Sequence, residues 1–77
     1  MNISDMRIGQ KAIITSMELP LKVQRKFTDM GLTTGVEIIL RHIAPLGDPL
    51  WLEVRGYDLA LRKAEAKSIN VNLLTRD

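Results

Sequence analysis

The sequence predicts a mostly β fold: a small barrel of about five short strands with one α-helix inserted after the first strand. Three observations carry this. Short runs in which apolar and polar residues alternate recur about every ten residues, the spacing of small all-β domains. One segment, beginning at Leu19, changes to the period of a helix. Single Gly or Pro residues punctuate the runs, and no linker, repeat or low-complexity stretch separates them. With 77 residues, 45% hydrophobic and 26% charged, the composition is that of a globular chain with room for one domain, residues 1–77. A domain of this size buries only about 60% of its unfolded surface, so nearly every aliphatic side chain has to share one core.

Taken in order, Ile8-Gly9-Gln10 reads as a turn leading into a first strand over residues 11–17. There Ala12-Ile13-Ile14-Thr15 supplies the β-branched side chains that suit a half-buried pleated surface. Leu19, Val23, Phe27 and Met30 then fall on one stripe of a helix of about three turns, with Lys22, Arg25, Lys26 and Asp29 off the stripe. Pro20 suits the first helical turn, where its missing N–H costs nothing. Gly31 reads as the left-handed residue after the helix, and Leu32 as the apolar residue that folds back on Phe27. Thr33-Thr34-Gly35 makes a turn, followed by a strand over residues 36–44 with Ile38 and Leu40 on one face. Leu50, Leu52 and Val54 alternate with Trp51 and Glu53, and Leu59 and Leu61 with Asp58 and Ala60, giving two further strands joined at Arg55-Gly56. Residues 63–67 read as a helical turn, and Ile69, Val71 and Leu73 as a last strand. The expected core is Phe27, Ile38, Leu40, Leu52, Val54, Leu59, Leu61, Ile69 and Val71.

Several function classes are disfavoured. Without cysteine, neither a disulfide framework nor a thiolate metal site is available, which accords with a reducing cytosol. The longest apolar runs, such as Ile38-Ile39-Leu40 and Leu50-Trp51-Leu52, fall far short of the ~20 residues that span a bilayer, so no membrane insertion or signal segment is expected. The 11 Lys+Arg against 9 Asp+Glu give a net charge of +2, weak for a nucleic-acid module, and the aromatics Phe27, Trp51 and Tyr57 form no stacking platform because Phe27 lies on the buried helix stripe. A metal centre needs about four converging ligands, whereas the single histidine, His42, has no carboxylate cluster near it in sequence. His42 falls in phase with Ile38 and Leu40 unless a twist near the following loop turns it outward. Met1, Met6, Met17 and Met30 are scattered and read as core or terminus. Ser4, Ser16 and Ser68 lack an adjacent base, so no catalytic residue, metal or cofactor is expected. Gly31 and Gly35 end a helix instead of opening one, the wrong polarity for phosphate.

What remains is surface recognition. The alternation that buries Leu50 and Leu52 sends Trp51 outward, where it can anchor a protein interface unless the helix or the loop at Pro45-Leu46 covers it. The loop Pro45, Leu46, Gly47, Asp48, Pro49 is stiffened by two prolines, which lowers the ordering cost of binding and equally suits a tight turn. Lys22, Arg25 and Lys26 give the helix a basic face that either docks on an acidic partner or is simply solvated.

These residues also carry a family likeness. The run Asp29-Met30-Gly31-Leu32-x-x-Gly35, then Ala44-Pro45-Leu46-Gly47-Asp48-Pro49, then Leu59-Ala60-Leu61-Arg62-Lys63-x-Glu65-Ala66, ending Ile69-x-Val71, resembles the FeoA family of small cytosolic ferrous iron transport proteins. The likeness runs over residues 8–71, and the Ala-Pro-Leu-Gly-Asp-Pro hexapeptide is its most specific part. It implies an SH3-like β-barrel, no enzymatic activity, and a role as accessory to the membrane ferrous-iron transporter FeoB, whose cytosolic portion carries a GTPase domain. The resulting expectation is a cytoplasmic interaction module, monomeric or weakly self-associating, that binds and modulates FeoB through the 44–49 loop and the neighbouring strand face. Two other classes stay open. One is a regulatory SH3-like module of an iron-responsive transcription regulator, disfavoured because no DNA-binding helix pair is present; the other is a nucleic-acid-binding barrel, disfavoured by the weak net charge.

Overall fold

The change of period at Leu19 is realised as a nine-residue helix, α1 (Leu21–Asp29), in a computed structural model that describes residues 1–74. Pro20 sits one position earlier than expected, as the extended residue before the helix at φ −54° and ψ 144°. The Gln24 side-chain amide ties the helix to the chain before it, donating to the carbonyls of Leu19 at 2.7 Å and Met17 at 3.1 Å. At the other end Gly31 adopts φ +91°. The Leu32 N–H reaches back to the Phe27 carbonyl and the Gly31 N–H to the Thr28 carbonyl, both at 2.9 Å. Those two bonds define the Schellman ending, and Leu32 and Phe27 both join the buried core.

Around the helix five short strands form one antiparallel sheet: β1 (Lys11–Met17), β2 (Glu37–Ile43), β3 (Leu50–Val54), β4 (Tyr57–Leu61) and β5 (Ile69–Leu73), in spatial order β4-β3-β2-β1-β5. A short helix, α2 (Lys63–Ala66), links β4 to β5, and a 3₁₀ turn over Ile3–Asp5 precedes β1. The mostly β class, the strand number and the helix placed after the first strand are as the sequence predicts. Closure differs: among the described residues β4 and β5 do not pair, so the sheet stays open along those two edges. The β3–β4 hairpin turns at Arg55 and Gly56, with φ +50° and +88°, the two positive values that match the right-handed twist of the flanking strands.

Alternation places Ile38, Leu40, Leu52, Val54, Leu61, Ile69 and Val71 in one core with Phe27. Leu59 is only half-buried and packs against the core; it lies on β4, beyond which no strand pairs among the described residues. The core also takes Ile3 and Met6, held by the 3₁₀ turn. There the Ser4 N–H donates to Asn2 Oδ1 at 3.0 Å and the Asn2 N–H to Asp5 Oδ2 at 3.1 Å, a reciprocal cap that satisfies the donors at the start of the turn.

Candidate functional site

Two surface features stand out, and the loop between β2 and β3 joins them. In that loop the Ala44 N–H donates to the Pro49 carbonyl at 3.0 Å and the Gly47 N–H to the Ala44 carbonyl at 2.7 Å, with Gly47 at φ +86°. Asp48 reaches across to the start of α2, its Oδ1 accepting the Lys63 N–H at 2.9 Å. The loop is therefore tied down at its base and along one flank, and its tip, Leu46, is left 94% exposed. A large apolar side chain held outward on a braced loop is ready to be buried by a partner at low ordering cost.

Next to the loop, on the outer face of β3, Trp51 is half-buried. The outward direction is as the alternation predicts, and its ring packs against that of His42, at 5.0 Å between ring centroids and 47° between planes. A register shift between Leu40 and His42 in the β2–β3 ladder puts His42 out of phase with Ile38 and Leu40 and opposite Trp51, as a bulge does when it inserts one residue into a strand. Farther along the same outer face Arg41 and Glu53 approach to 3.6 Å; both are partly solvated, so the pair adds little to stability.

The second feature is a groove of about 390 Å³ between α1 and β4. Phe27, Met30, Leu59 and Leu61 give it an apolar floor, Pro49 of the loop forms one end, and Lys26 and Arg62 stand at the rim. Lys26 thus belongs to the groove and Pro49 belongs to both features, whereas Lys22 and Arg25 lie on the exposed side of α1. Neither Lys26 nor Arg62 takes part in an ion pair among the described residues. Two parts of this arrangement escape sequence reasoning. The groove joins residues from α1, the loop and β4 that are far apart in the chain, and its one local signal is the apolar residue at Met30 carried past the helix end. The prominence of Leu46 over its proline neighbours becomes visible only once Asp48 is seen to anchor the loop.

Among the described residues no three His, Asp or Glu side chains come together as a metal site would require, and no helix is long and apolar enough to cross a membrane.

The FeoA domain model matches residues 1–73. The chain belongs to the FeoA family. A FeoA-like protein from Clostridium acetobutylicum, solved by NMR, is 40% identical and superposes with a TM-score of 0.88 over 100% of this chain and 90% of its own. FeoA of Stenotrophomonas maltophilia, solved in complex with zinc, is 28% identical with a TM-score of 0.78, covering 94% of this chain and 89% of that one; it is described as a procaryotic SH3 domain protein. The SH3-like description therefore extends to this FeoA domain. Among curated relatives, an Fe(2+) transport protein A/Fe(2+) transporter FeoB fusion protein of Porphyromonas gingivalis is 29% identical over 75 residues. That match covers 97% of this chain and 9% of the fusion protein. The FeoA family is thereby linked to ferrous iron transport.

Proposed function

We propose that this FeoA domain is a non-enzymatic cytosolic accessory of ferrous iron uptake that binds the cytosolic portion of the transporter FeoB and modulates it. The observation that carries the reading is the fusion in Porphyromonas gingivalis, where a domain 29% identical to this one shares a chain with FeoB. Tethering two modules raises their effective concentration toward each other to the millimolar range, about 10⁻³ M, which favours pairs that act together. The surface supports the same reading. Leu46 and the half-buried Trp51 present apolar area, Pro45, Gly47, Asp48 and Pro49 hold the Leu46 tip, and Lys22, Arg25 and Lys26 add a basic flank suited to an acidic partner.

The test is a pull-down of FeoB's cytosolic portion by the full chain, compared with Leu46→Asp. Leu46 is 94% exposed, so the substitution leaves the core intact while placing a charge where an apolar contact is required. Retention by the parent and loss by Leu46→Asp supports the reading; no retention by the parent refutes it.

A further inference from the structure

The chain treats the two edges of its sheet differently. Beyond β5 its own first residues cover the edge with one isolated antiparallel bridge: Asn2 pairs with Asn70, and the Val71 N–H donates to the Met1 carbonyl at 2.8 Å. Beyond β4 none of the described residues does so. The register shows which groups are left over. Val54 and Tyr57 flank a two-residue turn and form a hydrogen-bonded pair, and pairs alternate from there. Tyr57, Leu59 and Leu61 therefore exchange bonds with β3, whereas Asp58 and Ala60 turn their N–H and C=O groups outward. Such a row is a template for another strand, and here Asp58 is the one charged side chain on it.

The groove between α1 and β4 lies along this edge. A strand added to β4 sends every second side chain to the same side as Leu59 and Leu61, onto the floor that Phe27 and Met30 form with them. The rim charges select among possible strands. Lys26, Arg62 and Glu65 all line the groove; the Glu65 carboxylate accepts the Arg62 N–H at 2.9 Å, and the Lys26 and Arg62 side chains form no ion pair among the described residues. Two cations against one carboxylate leave the groove net positive.

We infer that the free edge of β4 takes an extended segment of the partner as a sixth strand, with apolar side chains at alternate positions entering the groove and a carboxylate meeting Lys26 and Arg62. Main-chain bonds to Asp58 and Ala60 supply affinity, and the groove and its basic rim supply selectivity, the division of labour in strand addition. The inference rests on the reading that the partner is FeoB and adds the chemistry of the segment that FeoB offers.

The experiment uses the full chain with FeoB's cytosolic portion from the same organism. On complex formation the Asp58 and Ala60 amides slow in hydrogen exchange by at least about tenfold. Ala60→Pro deletes an outward N–H without removing a ladder bond and weakens binding by at least about tenfold. Should Ala60→Pro fail to fold, the exchange data on the parent decide alone. Binding by the parent with unslowed β4 amides, or with Ala60→Pro binding equally well, overturns the inference and leaves the FeoB reading standing. No binding by the parent overturns both. Protection of the β4 amides in the free chain, rising with its concentration, assigns the edge to a second copy and also overturns it.

Discussion

Replacing Gly31 with alanine tests the turn that ends α1 and sets one wall of the groove. Two costs add. Gly31 has φ +91°, a conformation that costs an L-residue about 1–2 kcal/mol. A Cβ placed there also lies 2.5 Å from the Tyr57 hydroxyl oxygen, too close to stand, with the next ring carbon at 3.6 Å. Tyr57 is 43% exposed, so its ring can swing away; leaving its packed rotamer costs of order 1 kcal/mol. The sum is about 2–3 kcal/mol, a drop in Tm of about 10–20 °C for a domain of this size. The two parts separate in a double-mutant cycle. In a Tyr57→Phe background the hydroxyl is gone, the nearest remaining ring atom is at ordinary contact distance, and Gly31→Ala should cost only the backbone share of about 1–2 kcal/mol. Urea unfolding of the four proteins gives the coupling. A cost equal in both backgrounds refutes the contact, and no cost in either refutes the left-handed ending of α1.

Three further outcomes follow from the packing. Phe27 is 2% exposed, so Phe27→Ala should lose about 3–5 kcal/mol, a large share of a small domain's stability; a melting temperature within a few degrees of the parent contradicts the core described. Asp48→Ala removes the bond between Asp48 Oδ1 and the Lys63 N–H and should cost about 0.5–1.5 kcal/mol in denaturant unfolding, while the 44–49 amides exchange faster. Trp51→Ala should weaken FeoB binding by about 2 kcal/mol, roughly thirtyfold, with a smaller stability loss than Phe27→Ala because Trp51 is only partly buried, on the outer face of β3; a stability loss as large as that of Phe27→Ala, with affinity unchanged, takes Trp51 out of the interface.

Most of the fold is legible where a local rule decides it. Gly31 followed by apolar Leu32, placed after a stripe ending at Phe27 and Met30, admits one helix ending, and the structure makes both of its hydrogen bonds. Arg55-Gly56 between alternating runs gives the hairpin in the same way. The misreadings have a common cause, since they depend on partners distant in the chain. Ile3 enters the core although residues 1–6 show no period, because a side-chain cap and a bridge to β5 hold it there; the spacing Asn2-x-x-Asp5 is the available signal, while Met6 joins the core as one of the two places its type suggests. For His42 the sequence leaves open a twist that turns it outward, and the bulge between Leu40 and His42 is that twist; where along β2 it falls is not written in the alternation. Leu59 stays half-buried while Leu61 on the same face of β4 is buried, a difference set by what packs against the strand and not by the alternation. The loop and the basic helix face are visible as motifs, but that Pro49 and Lys26 share a groove with Met30 and Leu59 follows only from how α1 lies against β4.

An accessory role in ferrous iron uptake requires association with the transporter. Calorimetric titration of the full chain into FeoB's cytosolic portion measures it directly. The expected result is saturable, one-to-one binding with a Kd tighter than about 100 µM, weakened at least tenfold by Leu46→Asp while the variant melts as the parent does. Heats indistinguishable from dilution at that concentration, or a Leu46→Asp variant that binds as tightly as the parent, would contradict it.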